Sequence, residues 1–329
     1  MDLNATERAV LTALQRGIAL VERPFQGFLL PEGEVVALLR RAQAEGLVRR
    51  FGGVFDSRRL GFMSLLCALD APPERLAALA EVIVAHPGVT HCYERRPLIG
   101  QGRCPPLWFT LALPDASFDA GLEALRGQLD GAELMSLPAL RRFKIDVVFD
   151  LGARLPGAPI PTTAALPGPP PMAVRLTETE RALVRLLDQQ LPVSARPFDG
   201  VARHMGRPVA DVLDMLCRWR EQGVLRRIAA VLYHRQAGFT CNGMCVWPVA
   251  DGIEDAGLRV AARPEVTHCY QRSRRAAFPY DLYAMLHTTG HEAAVALYHR
   301  VTAECGLSAG MMCVSTRERK KSSMRYFPD

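Results

Sequence analysis

The chain has 329 residues, 49% of them hydrophobic, which suggests two or more domains that can each bury a core. No apolar run is long enough to cross a bilayer, and the early Glu7 and Arg8 do not fit a signal peptide, so we expect neither a membrane nor a secreted protein. Nine scattered cysteines without a CxxC pair argue for a reduced cytoplasmic protein without a zinc site, and the net charge of +6 suits an anionic partner, either nucleic acid or a small polyacid.

The first part of each half predicts helices. Helical spacing begins near Thr6 in the first half and near Thr177 in the second, and both residues are N-cap candidates. A second helical pattern ends at Gly46 and at Gly223, where glycine suits a helix C-terminus, and a short hydrophobic and basic strand follows. Two helices followed by a strand pair are typical of a winged helix-turn-helix domain.

The remainder of each half predicts the order βαββαβ, the ferredoxin-like arrangement in which helices cover one face of a sheet. In the first half the predicted elements span 63–69, 73–85, 89–95, 107–113, 117–128 and 132–137. In the second half they span 244–249, 252–262, 266–272, 282–287, 291–304 and 307–314. The expected fold class is therefore α+β, with two tandem copies of a winged helix-turn-helix plus a ferredoxin-like domain.

A proline-rich segment over residues 152–173 separates the two halves. Because proline fixes φ, we expect an extended, semi-rigid linker that lets the halves pack face to face as an intramolecular pseudo-heterodimer. The expected domains are winged helix-turn-helix units at 1–55 and 174–232 and ferredoxin-like units at 56–151 and 233–329, the last with a basic C-terminal tail.

The most informative pattern is a string that occurs twice. Residues 89–95 read VTHCYER and residues 266–272 read VTHCYQR, an offset of 177 that also relates Arg49-Arg50 to Arg226-Arg227. Because side chains alternate faces along a strand, each copy presents a His, a Tyr and an Arg on one face, with Thr267 on the opposite face. The two sets are His91, Tyr93 and Arg95 in the first half, and His268, Tyr270 and Arg272 in the second.

The next predicted strand adds polar residues to the second copy. Tyr283, Met285 and His287 share a face, whereas alignment of the halves sets Phe109 against Tyr283 and Leu113 against His287. Arginine holds carboxylates through paired hydrogen bonds and histidine titrates near neutrality, so the second half predicts an anion site with acid–base groups. The first half predicts a degenerate or supporting site. The alternative is that these residues only form an interface between the halves.

A basic run at residues 315–326 contains Arg317, Lys320 and Lys321. It is either a solvated tail or a clamp for carboxylates or phosphates at the edge of the site. The first half has a shorter counterpart at residues 141–144.

The winged-helix outline raises the question of DNA binding, which the sequence disfavours. A recognition helix presents basic or amide side chains to base edges near its N-terminus. The corresponding helices begin instead with Glu32 and Glu34, and with Asp211 and Asp214, which would repel phosphates. We therefore expect the helical units to pack the two halves together.

Taken together, these patterns resemble a known family. A winged helix followed by a ferredoxin-like domain is similar to the Lrp/AsnC regulators. The repeated His-Cys-Tyr-x-Arg, the string PYDLYAMLH at 279–287 and the string STRERKKSSMRYF at 315–327 resemble the siroheme decarboxylases. The chain looks like the fused form, with the D type first and the L type second. It departs from the family at Arg319, where an aromatic residue is expected, and in the missing first-half Tyr and His.

The resemblance implies a carboxy-lyase that converts the C12 and C18 acetate side chains of siroheme to methyls, giving 12,18-didecarboxysiroheme and CO2 in heme d1 biosynthesis. It implies no organic cofactor and no metal held by the protein alone, because the substrate brings its own iron. His268 or Tyr270 would protonate the macrocycle, and His287 or Tyr283 would protonate the nascent methyl group. Alternatively, His268 or His287 would be an axial ligand of the iron. The residues expected to bind the substrate are Arg272, Arg226, Arg227, Tyr280, Arg317, Lys320, Lys321, His91, Tyr93 and Arg95.

Two other functions stay open from the sequence. An Lrp-like regulator or heme sensor would bind DNA and release no CO2. A partner-dependent decarboxylase subunit would need separate proteins, such as NirG- and NirH-like proteins. The sequence does not decide the order of the two decarboxylations, the activity of the first-half site or any higher oligomer.

Overall fold

The computed structural model describes residues 1–100, 102–149, 151–152, 172–233 and 236–328. The linker predicted at 152–173 lies mostly outside the described residues, since 153–171 are not among them. Within the described part of the chain, no helix combines the length and the apolar character needed to cross a membrane.

Both halves contain the predicted βαββαβ order, but the elements around it differ: the second half has an additional helix at Phe198–Met205 and the first half an additional strand at Ala139–Ile145. The first half contains α1 (Ala5–Arg16), α2 (Glu32–Ala44), β1 (Val48–Phe55), β2 (Phe62–Leu69), α3 (Pro73–Ala85), β3 (Val89–Ile99), β4 (Leu107–Pro114), α4 (Phe118–Gly127), β5 (Leu134–Leu137) and β6 (Ala139–Ile145). The second half contains α5 (Glu178–Asp188), α6 (Phe198–Met205), α7 (Val209–Glu221), β7 (Leu225–Leu232), β8 (Cys241–Trp247), α8 (Ile253–Ala261), β9 (Val266–Arg272), β10 (Leu282–Thr288), α9 (His291–Glu304) and β11 (Met311–Lys321). The βαββαβ prediction is confirmed in both.

The first helix of each half starts at a capping box. Thr177 caps α5 as predicted, since its side chain accepts the N–H of Glu180 and the Glu180 carboxylate accepts the N–H of Thr177. The prediction for α1 is wrong. Asn4 is the cap and exchanges the same pair of bonds with Glu7, which leaves Thr6 inside the first turn.

The second helical pattern of each half ends at glycine, as predicted. Gly46 after α2 and Gly223 after α7 have φ values of 75° and 71°. Glycine adopts this left-handed conformation without the steric cost of a Cβ. The two glycines therefore turn the chain from the helix into β1 and β7.

The strand pair expected within each winged domain forms between the halves instead. β1 pairs with β7 in antiparallel register, with Phe51 opposite Ala230. Each half supplies a single strand here, and its backbone donors and acceptors are satisfied by the other half's copy. The helices on either side share one apolar core that includes Phe51, Leu11, Leu187 and Trp219. This core confirms that the helical units pack the halves together.

The remaining strands form one nine-stranded sheet in the order β5-β2-β4-β3-β11-β8-β10-β9-β6. β6 of the first half pairs with β9 of the second, and β11 of the second half pairs with both β8 and β3. β5 and β6 stand at opposite ends of this order but are separated in sequence by Pro138 alone. The chain therefore closes the sheet on itself, and the inner faces of both ferredoxin-like units meet inside one barrel.

The exchanged strands are anchored in the opposite half. Phe143 of β6 is buried in the second-half core against Gly257 of α8, where a Cβ would lie 2.3 Å from the phenylalanine ring. Lys144 donates to the Arg263 carbonyl at 2.8 Å, and Lys320 of β11 donates to two carbonyls at the end of α3. Because β11 runs to Lys321, the first part of the expected basic tail is a strand.

Candidate active site

The closed sheet and the ribbon of β1 and β7 enclose a cavity of about 560 Å³. This volume lies within the range of small-molecule and cofactor sites. Both halves contribute to its wall, so neither half forms it alone. The predicted site residues that line it are His91, Tyr93, Arg95, Arg226, Arg227, His268, Tyr270, Arg272, Tyr283, His287 and Lys321.

Three predicted substrate ligands do not line this cavity. Arg317 is exposed, and Lys320 points outward to the carbonyls that end α3, because adjacent residues of a strand face opposite sides. Tyr280 packs edge-on against Phe278, with ring centroids 4.8 Å apart. These three residues therefore lie outside the cavity lining, although Tyr280 packs against the cluster that contains Tyr283.

The repeated His, Tyr and Arg form two similar rows on the inner wall. We call His91, Tyr93 and Arg95 the first trio, and His268, Tyr270 and Arg272 the second trio. In the first trio the His and Tyr ring centroids are 6.4 Å apart, and the guanidinium carbon lies 5.4 Å from the Tyr centroid. The corresponding distances in the second trio are 6.4 Å and 4.8 Å. The two copies of the repeated sequence therefore place their His, Tyr and Arg side chains in similar relative positions.

The arginines of the trios retain hydrogen-bond donors. Both are buried, and each donates to one strand carbonyl, Arg95 to Cys313 at 3.3 Å and Arg272 to Leu137. The Nε atom of each has no hydrogen-bond partner among the described residues. Because both arginines line the cavity, a ligand carboxylate would stabilise their buried positive charge.

Each trio begins at a β-bulge. The register slips at Thr90 between β3 and β4, and at Thr267 between β9 and β10. The hydroxyl Oγ1 of Thr90 lies 3.0 Å from Nδ1 of His91, and that of Thr267 lies 3.1 Å from Nδ1 of His268. Strict alternation predicts Thr267 on the face opposite His268. That prediction is wrong, because the extra residue in a bulge interrupts the alternation.

The second half adds Tyr283 and His287 to the same wall, as predicted. Nδ1 of His287 lies 3.3 Å from Oγ1 of Thr267, and the imidazole meets the Phe149 ring edge-on at 5.3 Å. The Tyr283 hydroxyl has no hydrogen-bond partner among the described residues. Two imidazoles and two phenols therefore line one side of the cavity.

The predicted alignment of the first half with Tyr283 and His287 is wrong by one residue. Trp108 pairs with the tyrosine of the first trio as Tyr283 pairs with that of the second. By the same register, Ala112 occupies the position of His287. A shift of one residue moves a side chain to the other face, and Phe109 accordingly belongs to the helix-covered core. Neither first-half position carries a phenol or an imidazole.

The cavity wall is strongly basic. Its described lining includes Lys321 and six arginines, with Asp188 as the one carboxylate. Arg50 donates to the Asp188 backbone carbonyl at 2.7 Å, and burial raises the pKa of the Asp188 carboxyl to about 6. This excess of positive charge would attract and retain a polyanion. The six arginines are Arg49, Arg50, Arg95, Arg226, Arg227 and Arg272.

A buried ion pair holds one of these arginines in place. Oδ2 of Asp56 accepts from Arg226 at 2.8 Å and from Arg142 at 3.0 Å. Burial raises the pKa of the Asp56 carboxyl, but the two guanidinium groups outweigh it and hold the pKa below its usual value. Tyr233 stands in the corresponding place after β7 and donates to Glu318 at 3.1 Å. We call the parts of the wall around the first and the second trio the two ends of the cavity, and these ends therefore differ in polarity.

The imidazoles of both trios and the phenols of Tyr270 and Tyr283 keep their neutral forms at pH 7. Burial, together with nearby cations, lowers the pKa of His91 and of His268 to about 4. Burial raises the pKa of Tyr270 and of Tyr283, so both phenols stay protonated. The ligand-free site thus offers imidazole nitrogens as proton acceptors and phenols as donors.

The histidines are also the side chains that could meet a metal carried by a ligand. Imidazole is a common axial ligand of heme iron, and His268 and His287 share one wall. Among the described residues, no group of three or more His, Cys, Asp and Glu side chains could hold a metal ion.

Several residues that line the cavity were not predicted from the sequence. Arg49 and Arg50 are the counterparts of the predicted site residues Arg226 and Arg227 at the offset of 177. The repeat could therefore have predicted that they line the cavity too. Tyr326 and Asn242 carry no such pattern. Tyr326 reaches the wall because the chain after β11 returns to pack edge-on against Phe62, at 5.3 Å between centroids.

Family models and a full-length relative agree with this architecture. The AsnC-like ligand binding domain matches residues 59–144 and 236–320, and the siroheme decarboxylase NirDL-like HTH domain matches 180–226. The siroheme decarboxylase of Hydrogenobacter thermophilus is 34% identical over 327 residues, covering 97% of this chain and 94% of the relative. The siroheme decarboxylase NirH subunit of Stutzerimonas stutzeri is 37% identical over 148 residues, covering 44% of this chain and 88% of the relative.

Solved structures agree over both halves. The crystal structure of the siroheme decarboxylase NirDL matches with a TM-score of 0.70 and 30% identity, covering 99% of this chain and 95% of that chain. NirDL in co-complex with an iron-uroporphyrin III analogue matches with a TM-score of 0.69, at the same identity and coverage. This chain, with its two AsnC-like ligand-binding domains in one polypeptide, therefore belongs to the siroheme decarboxylase family.

Proposed function

We propose that this chain is a carboxy-lyase that converts the C12 and C18 acetate side chains of siroheme to methyls, giving 12,18-didecarboxysiroheme and CO2 in heme d1 biosynthesis. The observation that carries the proposal is the basic cavity, in which two His-Tyr-Arg trios face one space. A tetrapyrrole with many carboxylates suits both its charge and its two-sided wall. The related NirDL, which was crystallised with an iron-uroporphyrin III analogue, supports the choice of ligand class.

Substrate binding would use the arginines at both ends. The guanidinium groups of Arg95 and Arg272 line the cavity and suit carboxylate oxygens, and Arg226 is held at the wall by Asp56. Lys321 adds a cation beside the first trio. A macrocycle held by its peripheral carboxylates at both ends would have a fixed orientation, which is what decarboxylation of chosen acetates requires.

The reaction consumes one proton for each carboxylate, R–CH2–COO⁻ + H⁺ → R–CH3 + CO2. The electrons of the broken C–C bond need a temporary acceptor, which a protonated macrocycle provides. His268 or Tyr270 would deliver that proton and take it back once the methylene has been protonated, so that the net uptake is one proton for each CO2 released. His287 or Tyr283 would then protonate the nascent methylene, and general acid catalysis of this kind contributes roughly 10²–10⁴-fold.

The substrate itself would charge the histidine. His268 is neutral in the free protein because burial and the nearby cations, including Arg226 and Arg272, lower its pKa. Substrate carboxylates bound to those arginines would neutralise them and add negative charge close to the imidazole. Both effects raise the pKa of His268, so the proton donor would form only when the polyanion is bound.

We propose no organic cofactor, because the substrate carries its own iron. His268 or His287 would serve as axial ligand only as an alternative to proton transfer through the same ring nitrogen, since a nitrogen bound to iron holds no proton. The apolar part of the wall, including Trp108, Met244 and Met285, would exclude water from the reacting acetate.

The test is anaerobic incubation of the purified full chain with siroheme, followed by mass analysis of the tetrapyrrole. Loss of two CO2 is the expected result. Loss of one CO2 would retain the decarboxylase but overturn the double conversion. A bound, unchanged tetrapyrrole would overturn independent turnover, and adding NirG- and NirH-like proteins would then separate a partner-dependent subunit from a heme sensor. Absence of binding would overturn the proposal.

A further inference from the structure

The two threonines at the β-bulges make the same unusual set of contacts. Oγ1 of Thr267 donates to the Met285 carbonyl at 3.3 Å and lies 3.1 Å from Nδ1 of His268. Oγ1 of Thr90 donates to the Thr110 carbonyl at 3.5 Å and lies 3.0 Å from Nδ1 of His91. Met285 and Thr110 occupy equivalent positions opposite the two histidines. The duplication retained a threonine–imidazole contact as well as the trio.

Thr267 has a third partner that Thr90 lacks. Nδ1 of His287 lies 3.3 Å from the same Oγ1. In the first half the position of His287 is held by Ala112, as the strand register shows. One hydroxyl of the second half therefore touches both candidate catalytic imidazoles.

The chemistry of a hydroxyl decides how three such bonds coexist. A threonine hydroxyl has one hydrogen to donate and two lone pairs that accept. The Met285 carbonyl can only accept, so all three contacts are hydrogen bonds only when the carbonyl takes the hydrogen of Thr267. The two lone pairs then accept N–H bonds from Nδ1 of His268 and Nδ1 of His287. If the hydroxyl donated to either imidazole, the carbonyl would lose its bond.

We propose that Thr267 is a positioning residue that holds His268 and His287 as Nδ1–H tautomers, so that both use an unprotonated Nε2 toward the substrate. Thr90 holds His91 in the same tautomer. Nε2 is then the atom that accepts and returns the proton, or binds iron, and this consequence rests on the proposed decarboxylase function. The bulge has a chemical purpose here, because only the interrupted alternation brings the hydroxyl to the imidazoles.

Two readouts test this proposal. Long-range ¹H–¹⁵N NMR of the full chain with labelled histidine reports the tautomer directly, with signals assigned through His268→Gln and His287→Gln. We expect Nδ1–H signatures for both in the unaltered protein at pH 7. Thr267→Val keeps the shape without the hydroxyl and should abolish these signatures. Its kcat should fall roughly 10–100-fold, as for other groups that orient histidine, with little change in KM.

Matched variants separate positioning from structural damage. Thr267→Ser restores the hydroxyl and should restore both the tautomers and kcat, whereas Thr90→Val should alter the signal of His91 alone. Nε2–H signatures in the unaltered protein would overturn the inference even if Thr267→Val failed to fold. So would a folded Thr267→Val with unchanged tautomers and full kcat. A protein with the expected tautomers but no turnover of siroheme would instead overturn the proposed function.

Discussion

The two ends of the cavity share one plan but hold different reactive groups. The second trio is accompanied by Tyr283 and His287, where the first trio has Trp108 and Ala112. Lys321 lies opposite the histidine of the first trio, where β6 places an isoleucine opposite that of the second. Acid–base groups thus concentrate at one end, and an additional cation stands at the other.

What both ends retain is the buried arginine over a tyrosine ring. Arg95 and Arg272 each leave Nε without a partner among the described residues. Under the proposed function, both halves keep an arginine for anion binding, and only the second half adds groups for proton transfer. We therefore expect equivalent substitutions at the two ends to have equal effects on binding and unequal effects on chemistry.

The largest expected effect separates the two trio histidines. His268→Ala should lower kcat for CO2 release by about 10²–10⁴-fold, because it removes a candidate general acid beside Tyr283 and His287. His91→Ala should lower kcat much less, because Trp108 and Ala112 stand beside the first trio where Tyr283 and His287 stand beside the second. Single-turnover assays with siroheme under anaerobic conditions measure both. Undiminished decarboxylation by His268→Ala would remove this residue from the mechanism.

A second contrast concerns the buried groups after β1 and β7. Asp56→Asn should destabilise the fold by about 3 kcal/mol, because Arg142 and Arg226 lose their shared buried carboxylate. Tyr233→Phe should cost only about 1 kcal/mol, the usual contribution of one hydrogen bond. Denaturant unfolding of both variants measures the difference. Equal losses would mean that the polarity difference between the ends has no energetic consequence.

Substitution of the two trio arginines should weaken substrate binding equally, whereas substitution of the two trio histidines should affect turnover unequally. Arg95→Met and Arg272→Met should each weaken substrate binding by about 1.5–3 kcal/mol, the contribution of a hydrogen bond to a charged group, which is roughly a 10–150-fold increase in Kd. Titration of the tetrapyrrole's absorption spectrum measures binding independently of turnover. Circular dichroism of the free variants controls for folding. Loss of binding at only one end would contradict a substrate held at both.

A further expected effect is the dependence of the folding stability on pH. The folded-state pKa of about 4 for His91 and for His268 lies below the ordinary value of 6.5, so the unfolded chain binds more protons between these limits. The free energy of unfolding should therefore fall as pH drops from 6.5 toward 4, by up to about 1.4 kcal/mol per pH unit for each histidine.

Variants isolate this contribution from other groups. His91→Gln and His268→Gln should each flatten the pH dependence, and the difference from the unaltered protein cancels opposing groups such as Asp188, whose raised pKa acts the other way. Thermal unfolding at several pH values measures the slopes. Unchanged slopes in both variants would show that the imidazoles are not held neutral by burial.

Local pattern accounts for most of the elements and for the core of the site. Period-two alternation placed His268, Tyr270 and Arg272 on one face, and the repeat located the matching residues of the first half. The same alternation failed at Thr267, where a bulge adds a residue, and the unaided alignment missed Trp108 by one position. Both errors concern register, which depends on hydrogen bonding to a strand that is distant in sequence.

The sequence by itself determined the duplication, the βαββαβ order and the chemical types of the trio residues, because these follow from spacing and side-chain chemistry. Tertiary structure alone decided that β6 and β11 cross to the opposite half and that β5 and β6, joined through Pro138, stand at the two ends of the strand order. It also decided that Lys321 faces the cavity while Lys320 faces α3. The physical reason is that strand exchange and closure satisfy backbone hydrogen bonds between remote segments, and no local periodicity specifies which remote edge a strand will meet.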